Sequence, residues 1–317
     1  MTTGMRYRLG LGNEWADKAA LDARIQLLKE GQAMPLQVKV GKSMAIIMDA
    51  IRDHGWDRIY LAFSGGRDSA VLAHLIQRVE HILREPRPRV AYMFEDTTLE
   101  DPSTYEYIRW WEDTFGRYVA RTLPFKKPMA VIREHGYPLY SKRIAYMLQS
   151  NRRSKACGDY LRRIHLGHLL DTDIRISREC CFYLKHGPGE QWAKDRGQTA
   201  VLLGMRATDS RDRRRNWIAR GCYYPVKKGA DRVWPLSFWT EADVAAYHRE
   251  VGLPWARLYD MGFTRNGCRI CGFGCHLANP NKFQLLATHY PTFWEKAMTR
   301  FGYFDVCEKL GIRDGRK

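Results

Sequence analysis

Hydrophobic and polar positions alternate along the chain in a pattern that predicts strands separated by helices. Short apolar runs that predict buried strands lie at residues 59–63, 89–94, 117–122 and 200–203. Apolar residues recur at helical spacing over residues 38–54, 70–79 and 108–115. Strands that alternate with helices imply a parallel sheet with crossover connections, so we predict an α/β fold with a parallel twisted sheet and flanking helices.

A glycine-containing loop separates the first predicted strand from a predicted helix. Its residues are Ser64, Gly65, Gly66, Arg67, Asp68 and Ser69. The glycines let the backbone approach a ligand closely, and the helix that follows offers its N-terminal amides to an anion. An ordinary tight turn uses the same residue types, but the strand-loop-helix context favours a phosphate site and hence a nucleotide.

Two further segments follow predicted strands at the edge of the sheet where such folds bind ligands. Asp96 comes directly after the second strand, where it serves either the ligand site or helix capping. The strand at residues 200–203 runs into Gly204, Arg206, Asp209 and Arg211. This second segment is typical of an anion-binding turn, and a plain basic loop is the alternative.

The chain has 317 residues with 52 basic and 35 acidic side chains, which gives a net charge of +17. This charge attracts polyanions such as nucleic acid or nucleotides. Basic residues are dense over residues 142–163 and 206–220, and a solvated face is the alternative explanation. No apolar run is long enough to span a membrane and no signal-peptide core follows Met1, so we expect a cytoplasmic protein.

Cysteine placement is the second chemical signal. The chain has eight cysteines. Those with suggestive spacing are Cys180, Cys181, Cys222, Cys268, Cys271 and Cys275. A C-x-x-C pair flanked by glycines lets two thiolates converge on one metal. Zinc, an iron–sulfur cluster, and disulfides or inert buried thiols all remain open from spacing alone. Cys157 and Cys307 have no partner spacing, which predicts ordinary thiols.

The glycine loop resembles the PP-loop of the ATP pyrophosphatase superfamily, whose pattern is S-G-G-x-D-S. Gly204-x-Arg206-x-x-Asp209-Ser210 is similar to the G-x-R-x-x-E-S element of the phosphoadenosine phosphosulfate (PAPS) reductase family, with Asp209 where glutamate is usual. The segment 234–262 also looks like the stretch that leads to that family's cysteines. The resemblance covers about residues 38 to 290 and implies ATP with Mg²⁺ at the loop.

Site roles follow from this resemblance. It implies that Asp68 and Ser69 contact metal and phosphate, that Gly65 and Gly66 allow backbone approach, and that Arg206 and Arg211 stabilise the leaving group. The remaining implied nucleotide-binding residues are Ser64, Arg67, Asp96 and Gly204. Arg67 stands where lysine is more usual, which keeps the charge but changes its geometry.

The cysteine pattern is similar to that of the cluster-bearing adenylyl-sulfate reductases and the related DNA phosphorothioation enzymes. The resemblance implies that Cys180, Cys181, Cys268 and Cys271 hold a [4Fe–4S] cluster, with Cys222 and Cys275 as additional candidates and zinc as the alternative metal. The arrangement looks nearest to a phage and bacterial branch that is labelled PAPS reductase-like.

The resemblance favours an ATP pyrophosphatase that adenylates a substrate for sulfur transfer to a nucleic acid or a nucleotide, with a sulfur donor protein as a candidate partner. Sulfonucleotide reduction is the alternative enzyme, but reductases resemble one another in a C-terminal Glu-Cys-Gly-x-His element that Cys307 matches poorly. A nucleic-acid-binding module with a vestigial nucleotide site is the third hypothesis, supported by the charge and by Trp110, Trp111, Trp192, Trp217 and Trp239.

The expected organisation has three parts. Residues 1–37 form an N-terminal arm with a short helix at residues 20–30. Residues 38–235 form the nucleotide-binding α/β domain, and residues 236–317 form a cysteine-rich helical segment that packs on it. Within the last part, Thr240-x-x-Asp243 is typical of a capping box and predicts a helix through Tyr247.

Overall fold

A computed structural model describes residues 18–84, 89–151 and 154–316. The chain divides into two compact units. The first comprises the described residues up to Phe94, with Trp111–Ala120 and Glu190–Trp255; the second comprises Glu95–Trp110, Arg121–Gly189 and the described residues from Ala256 onward. Residues 1–17 of the predicted N-terminal arm, and the basic positions 152 and 153, lie outside the described residues. The linear boundaries at residues 38 and 236 stay predictions.

The strands form one large sheet and one small one. Their bounds are β1 Ile59–Ala62, β2 Ala91–Glu95, β3 Val119–Thr122, β4 Leu139–Tyr140, β5 Ala200–Leu202, β6 Tyr223–Tyr224, β7 Asp231–Val233 and β8 Gly272–Phe273. The six-stranded sheet has the order β3-β2-β1-β5-β7-β6, and β4 pairs with β8 in parallel.

Parallel pairing in the large sheet confirms the predicted α/β class. β1 lies between β2 and β5, with Tyr60 opposite Ala91 and Ile59 opposite Ala200, and both pairings are parallel. β5 pairs with β7 in parallel, whereas β6 pairs with β7 antiparallel. The four predicted strands are therefore confirmed. The short strands β6, at the edge of the sheet, and β7, between β5 and β6, were missed because they lack an apolar run.

Helices make up most of the remaining chain. Their bounds are α1 Lys18–Ala33, α2 Leu36–His54, α3 Arg67–Leu83, α4 Pro102–Phe115, α5 Pro128–His135, α6 Lys142–Asn151, α7 Lys155–Arg163, α8 Glu179–Cys181, α9 Gly187–Asp195, α10 Arg211–Arg220, α11 Glu241–Val251, α12 Lys282–His289, α13 Pro291–Arg300 and α14 Tyr303–Lys309. A π-helical turn at Phe182–His186 joins α8 to α9. The helices predicted over residues 38–54, 70–79 and 108–115 are confirmed. None of the helices in the described part of the chain is long and apolar enough to cross a membrane.

The core of the first unit lies on both faces of its sheet. Ile59, Leu61 and Phe63 are fully buried along β1, as their apolar run predicts. Tyr60 and Trp192 meet edge to face, with 5.3 Å between their ring centroids. Trp111, Trp192, Trp217 and Trp239 are all buried, so these rings pack in the interior and do not offer stacking platforms to a nucleic acid.

Local signals set the helix starts that position the candidate site. The predicted capping box of α11 is confirmed, because Thr240 Oγ1 accepts a hydrogen bond from Asp243 N and Asp243 accepts one from Thr240 N. Ser210 caps α10 in the same way, by accepting a hydrogen bond from Arg213 N. Both caps belong to the first unit, as does α3, which begins directly after the glycine loop.

Candidate nucleotide site and cysteine cluster

The glycine loop connects β1 to α3 in a closed turn. Gly65 has a φ of 69°, which is a conformation that favours glycine. Ser64 Oγ lies 3.1 Å from Ser69 Oγ and accepts a hydrogen bond of 3.3 Å from Gly66 N. Ser69 Oγ donates to Gly66 O over 2.9 Å. Gly66 stands at the N-cap of α3 and has no side chain that could cap it, so the loop leads straight into a helix N-terminus suited to an anion.

Gly204 brings the segment after β5 against this loop. A Cβ atom at Gly204 would lie 3.0 Å from the carbonyl carbon of Asp68 and 3.0 Å from Ser69 N. The neighbouring atoms are backbone, which cannot turn aside as a flexible side chain could. Only glycine therefore allows the two predicted anion-binding segments to approach as closely as they do.

Arg206 is the centre of an ion-pair network beside the loop. Its Nε lies 2.9 Å from Asp68 Oδ1, and its Nη2 lies 3.0 Å from Asp209 Oδ1 and 2.6 Å from Glu241 Oε2. Arg67 Nη2 lies 2.6 Å from Glu241 Oε1. Arg206 is buried, and its Nη1 has no hydrogen-bond partner among the described residues. This nitrogen is a donor left over for an anionic oxygen.

The surroundings of the site raise the pKa values of both Arg206 and Asp68. Burial raises the pKa of Asp68 to about 6, with Asp209 and Glu241 also raising it and Arg206 opposing them. Burial alone would lower the pKa of Arg206, but Asp68, Asp209 and Glu241 together raise it. The site therefore holds a permanent cation beside a carboxyl group that gains a proton more readily than an exposed one.

Two of the predicted site residues are engaged elsewhere or stand apart. Asp96 follows β2, and its Oδ1 accepts hydrogen bonds from Thr98 N at 2.8 Å and from the Tyr105 hydroxyl at 2.7 Å. The cap of α4 is Asp101, whose Oδ1 accepts from Ser103 N. Arg211, the first residue of α10, is exposed, and its side chain makes no hydrogen bond or ion pair with the described residues. Site roles for Asp96 and Arg211 stay predictions.

Two residues that support the loop were not predicted from the sequence. Glu241 pairs with both Arg67 and Arg206, although its position suggested only a helix start. His248, buried in α11, has Nε2 3.0 Å from Arg67 O and Nδ1 2.8 Å from Leu253 O. The contacts of Glu241 and His248 with Arg67 join residues far apart in the chain, so no local pattern could have revealed them.

The second unit holds the cysteine cluster, which we define as Cys180, Cys181, Cys268, Cys271 and Cys275. The tandem pair lies in α8, and Cys180 packs with Val131 and Leu184. Cys271 and Cys275 flank β8, and Cys275 N donates to Gly272 O over 3.1 Å. Segments distant in sequence therefore supply the thiols of one unit.

The thiols of this cluster influence one another electrostatically. A hydrogen bond between the side chains of Cys180 and Cys181 lowers the pKa of Cys181, with help from Lys142, and raises that of Cys180. Burial raises the pKa of Cys268 to about 12, with Glu100 adding to the effect. Thiolates are the form that binds metal, so this donor set would gain from a cation.

The donor chemistry of the cluster fits iron or zinc, because both metals are bound by cysteine thiolates. Across the described ranges, however, no group of three or more histidine, cysteine or acidic side chains stands ready to hold a metal ion. The fit therefore rests on the kind and burial of the donors.

The other cysteines have separate surroundings. Cys222 belongs to the first unit, where its Sγ lies 3.2 Å from Ser237 Oγ. Cys157 is buried, and its Sγ donates to Met147 O over 3.8 Å. Cys307 is fully buried in α14, and burial raises its pKa to about 12. A buried thiol with a raised pKa is a poor nucleophile at neutral pH.

Comparison with known proteins adds a family to this geometry. The model of the phosphoadenosine phosphosulfate reductase domain matches residues 58–272. An adenosine 5'-phosphosulfate reductase of Staphylococcus epidermidis is 26% identical over 214 residues, which cover 67% of this chain and 70% of that protein. The enzyme of the same name from Geobacillus kaustophilus is 26% identical over 243 residues, which cover 76% and 84% of the two chains. A crystal structure of PAPS reductase from Candida auris aligns at a TM-score of 0.46 and 20% identity, with coverage of 72% and 88%.

Proposed function

We propose that this chain is an ATP pyrophosphatase that adenylates an acceptor for sulfur transfer. The proposal starts from its family, because the chain belongs to the phosphoadenosine phosphosulfate reductase domain family. Membership of this family identifies the chain as an enzyme that acts on nucleotides. The observation that carries the finer proposal is Arg206, which pairs with Asp68 of the Ser64–Ser69 loop and whose Nη1 has no hydrogen-bond partner among the described residues. A buried cation next to a phosphate-binding loop suits a triphosphate that loses pyrophosphate.

In the proposed reaction, an oxygen of the acceptor attacks the α-phosphorus of ATP. The bond from that phosphorus to the bridging oxygen breaks, and pyrophosphate leaves with the electron pair while the acceptor oxygen loses its proton. A sulfur nucleophile from a donor then displaces AMP from the acceptor. The loop amides and Arg206 hold the negative charge that develops on the leaving group, so this chain contributes mainly alignment and charge stabilisation.

Two cofactors support this proposal through the donor groups on the chain. Asp68 and Ser69 would contact Mg²⁺, which neutralises part of the triphosphate charge when it is bound. Cys180, Cys181, Cys268 and Cys271 would hold a [4Fe–4S] cluster, with Cys275 as a replacement ligand and zinc as the alternative metal. An iron–sulfur cluster supplies one-electron chemistry.

Sulfonucleotide reduction is the second candidate, because the curated relatives described above are named adenosine 5'-phosphosulfate reductase. In that reaction a thiolate attacks the sulfate sulfur, and reduction of the resulting intermediate releases sulfite. Cys307 is the cysteine nearest to the C-terminus, and its burial and raised pKa argue against that role. We therefore prefer adenylation.

The two functions differ in the products that they form. Anaerobically purified protein is incubated with ATP and Mg²⁺, and in parallel with adenylyl sulfate or PAPS plus a dithiol. We expect AMP and pyrophosphate from ATP and no sulfite from either sulfonucleotide. Sulfite release without pyrophosphate formation would show that the chain is a sulfonucleotide reductase.

Arg206 provides the residue-level test. Arg206→Gln should lower pyrophosphate formation by about 100-fold or more, because a buried donor to the leaving group is lost. Arg206→Lys keeps the charge without the planar fork and should fall between the wild type and Arg206→Gln. Arg52→Gln, at an exposed ion pair on α2 of the same unit, is the matched control. Full activity in Arg206→Gln would refute the assigned role.

A further inference from the structure

The helix that follows the candidate nucleotide site is strongly basic. Its sequence, Arg211–Arg220, contains five arginines and one aspartate. Arg213, Asn216 and Arg220 are spaced three and four positions apart, so they lie along one side of α10. A helix rises about 1.5 Å per residue, so this row spans about 10 Å, which exceeds the reach of one phosphate group.

The far end of α10 places two arginines against the same aromatic ring. The guanidinium carbon of Arg220 lies 3.8 Å from the centroid of the Tyr224 ring, and that of Arg232 lies 5.8 Å from the same centroid. Within the described ranges, neither arginine forms an ion pair with a carboxylate. Burial and the charge of Arg232 lower the pKa of Arg220. An anion bound here would relieve the repulsion between two like charges.

Neighbouring groups add charge to this end of the helix. The turn between β6 and β7 carries Lys227 and Lys228, both exposed. Arg24 of α1 donates through Nη1 to the carbonyl oxygens of Ile218 and Ala219, at 2.6 Å each, and thereby caps the last turn of α10 with a cation. The positive surface therefore continues from the helix to the adjoining hairpin.

The near end of the row reaches the candidate nucleotide site. Arg213 Nη1 contacts the carboxylate of Asp209, which also pairs with Arg206. Arg206 in turn pairs with Asp68 of the glycine loop. The row of cations thus begins at the residues proposed to bind ATP and leads away along α10, all within the first unit.

We propose that a nucleic-acid strand binds along Arg213, Arg220, Arg232, Lys227 and Lys228 through its phosphates, with a nucleotide of that strand as the acceptor at the ATP site. Arginine forks match phosphate oxygens, and cations spaced along a line match a polymer with repeated charges better than a single nucleotide. The acceptor role rests on the proposed function, whereas strand binding does not.

The test is fluorescence anisotropy of the full chain with a labelled single-stranded oligonucleotide, in DNA and RNA versions, over a series of salt concentrations. Lys227→Gln/Lys228→Gln removes the two exposed cations of the turn between β6 and β7, and the fold should stay intact because both side chains are exposed. Each lost phosphate contact should reduce the slope of log affinity against log salt by about 0.7 for a single strand, so we expect a reduction of about 1.4. Arg220→Gln/Arg232→Gln should weaken binding as well.

The control is Lys296→Gln/Arg300→Gln, which removes the same charge from exposed positions on α13. An unchanged slope in this control, with a reduced slope in the hairpin pair, supports the proposed path. Equal weakening by both pairs, absence of binding at low salt, or displacement of the oligonucleotide by polyglutamate at equal charge would overturn it. Pyrophosphate formation from ATP is measured separately on the same preparations, so a failure of strand binding and a failure of adenylation are told apart.

Discussion

The glycine loop and the cysteine cluster show two ways of building a functional region. Around the loop, the cations already have carboxylate partners: Arg206 pairs with Asp68, Asp209 and Glu241, and Arg67 pairs with Glu241. In the cluster, Cys181, Cys271 and Cys268 all raise the pKa of the Cys180 thiol, and ionised thiols repel one another. We infer that backbone geometry forms the nucleotide site without its ligand, whereas the cluster depends on a bound metal.

The largest effect expected from this difference is the separate loss of metal and nucleotide. Cys271→Ala should abolish the bound iron and the visible absorbance of an anaerobic preparation, because a ligand thiolate is removed. Affinity for ATP should stay unchanged, since Cys271 belongs to the other unit. Metal analysis and calorimetric titration measure the two properties.

Cys157→Ala is the matched control for this experiment, because Cys157 is a buried thiol with no place in the cysteine cluster. It should retain the iron. Retention of the iron by Cys271→Ala, or loss of ATP binding together with the metal, would contradict the contrast between the two regions.

A smaller but sharper effect is expected at Gly204. The added methyl group of Gly204→Ala would press on the backbone of Asp68 and Ser69 from 3.0 Å, so the loop must shift. Overpacking of this kind costs about 1–3 kcal/mol of unfolding free energy, and it should also weaken ATP binding. Chemical denaturation and calorimetric titration give the two values.

Gly41→Ala provides the comparison, because the new Cβ at this position in α2 meets no atom within 4 Å. Alanine is the better helix former, so this variant should be as stable as the wild type or more stable. If Gly204→Ala behaves like Gly41→Ala in both measurements, the close approach of the two anion-binding segments has no energetic importance.

The smallest expected effect concerns the acid stability of the first unit. Burial lowers the pKa of His74 below its ordinary value of 6.5, and Arg78 and His248 lower it further. The fold therefore favours the neutral ring, so its contribution to stability is present above pH 6.5 and is lost as the pH falls through the lowered pKa.

His74→Gln removes this titration and keeps a polar group near the Tyr247 hydroxyl, which lies 2.8 Å from Nδ1 of His74. The unfolding free energy of this variant should fall less steeply than that of the wild type as the pH drops below 6.5. His81→Gln, at an exposed position on the same helix, should keep the wild-type slope. If the unfolding free energy of His74→Gln depends on pH as steeply as that of the wild type, burial of the His74 ring does not cause the loss of stability in acid.

The parts of this molecule that the sequence could predict are those written in local patterns. The apolar runs of β1 and β5, the Ser64–Ser69 loop and the capping box at Thr240 all depend on residues a few positions apart. Glu241 and His248 were missed as supports of the loop because their partners are distant in the chain. The strands β6 and β7 were missed because they have only two and three residues and contain no apolar run.

Nucleotide selectivity tests the central claim most directly. Anaerobically purified protein is titrated calorimetrically with ATP plus Mg²⁺, with PAPS and with adenylyl sulfate under the same conditions. The loop site, where Arg206 Nη1 has no hydrogen-bond partner among the described residues, predicts selective binding of ATP. Selective binding of PAPS or adenylyl sulfate, with none of ATP, would contradict adenylation and make sulfonucleotide reduction the function of this chain.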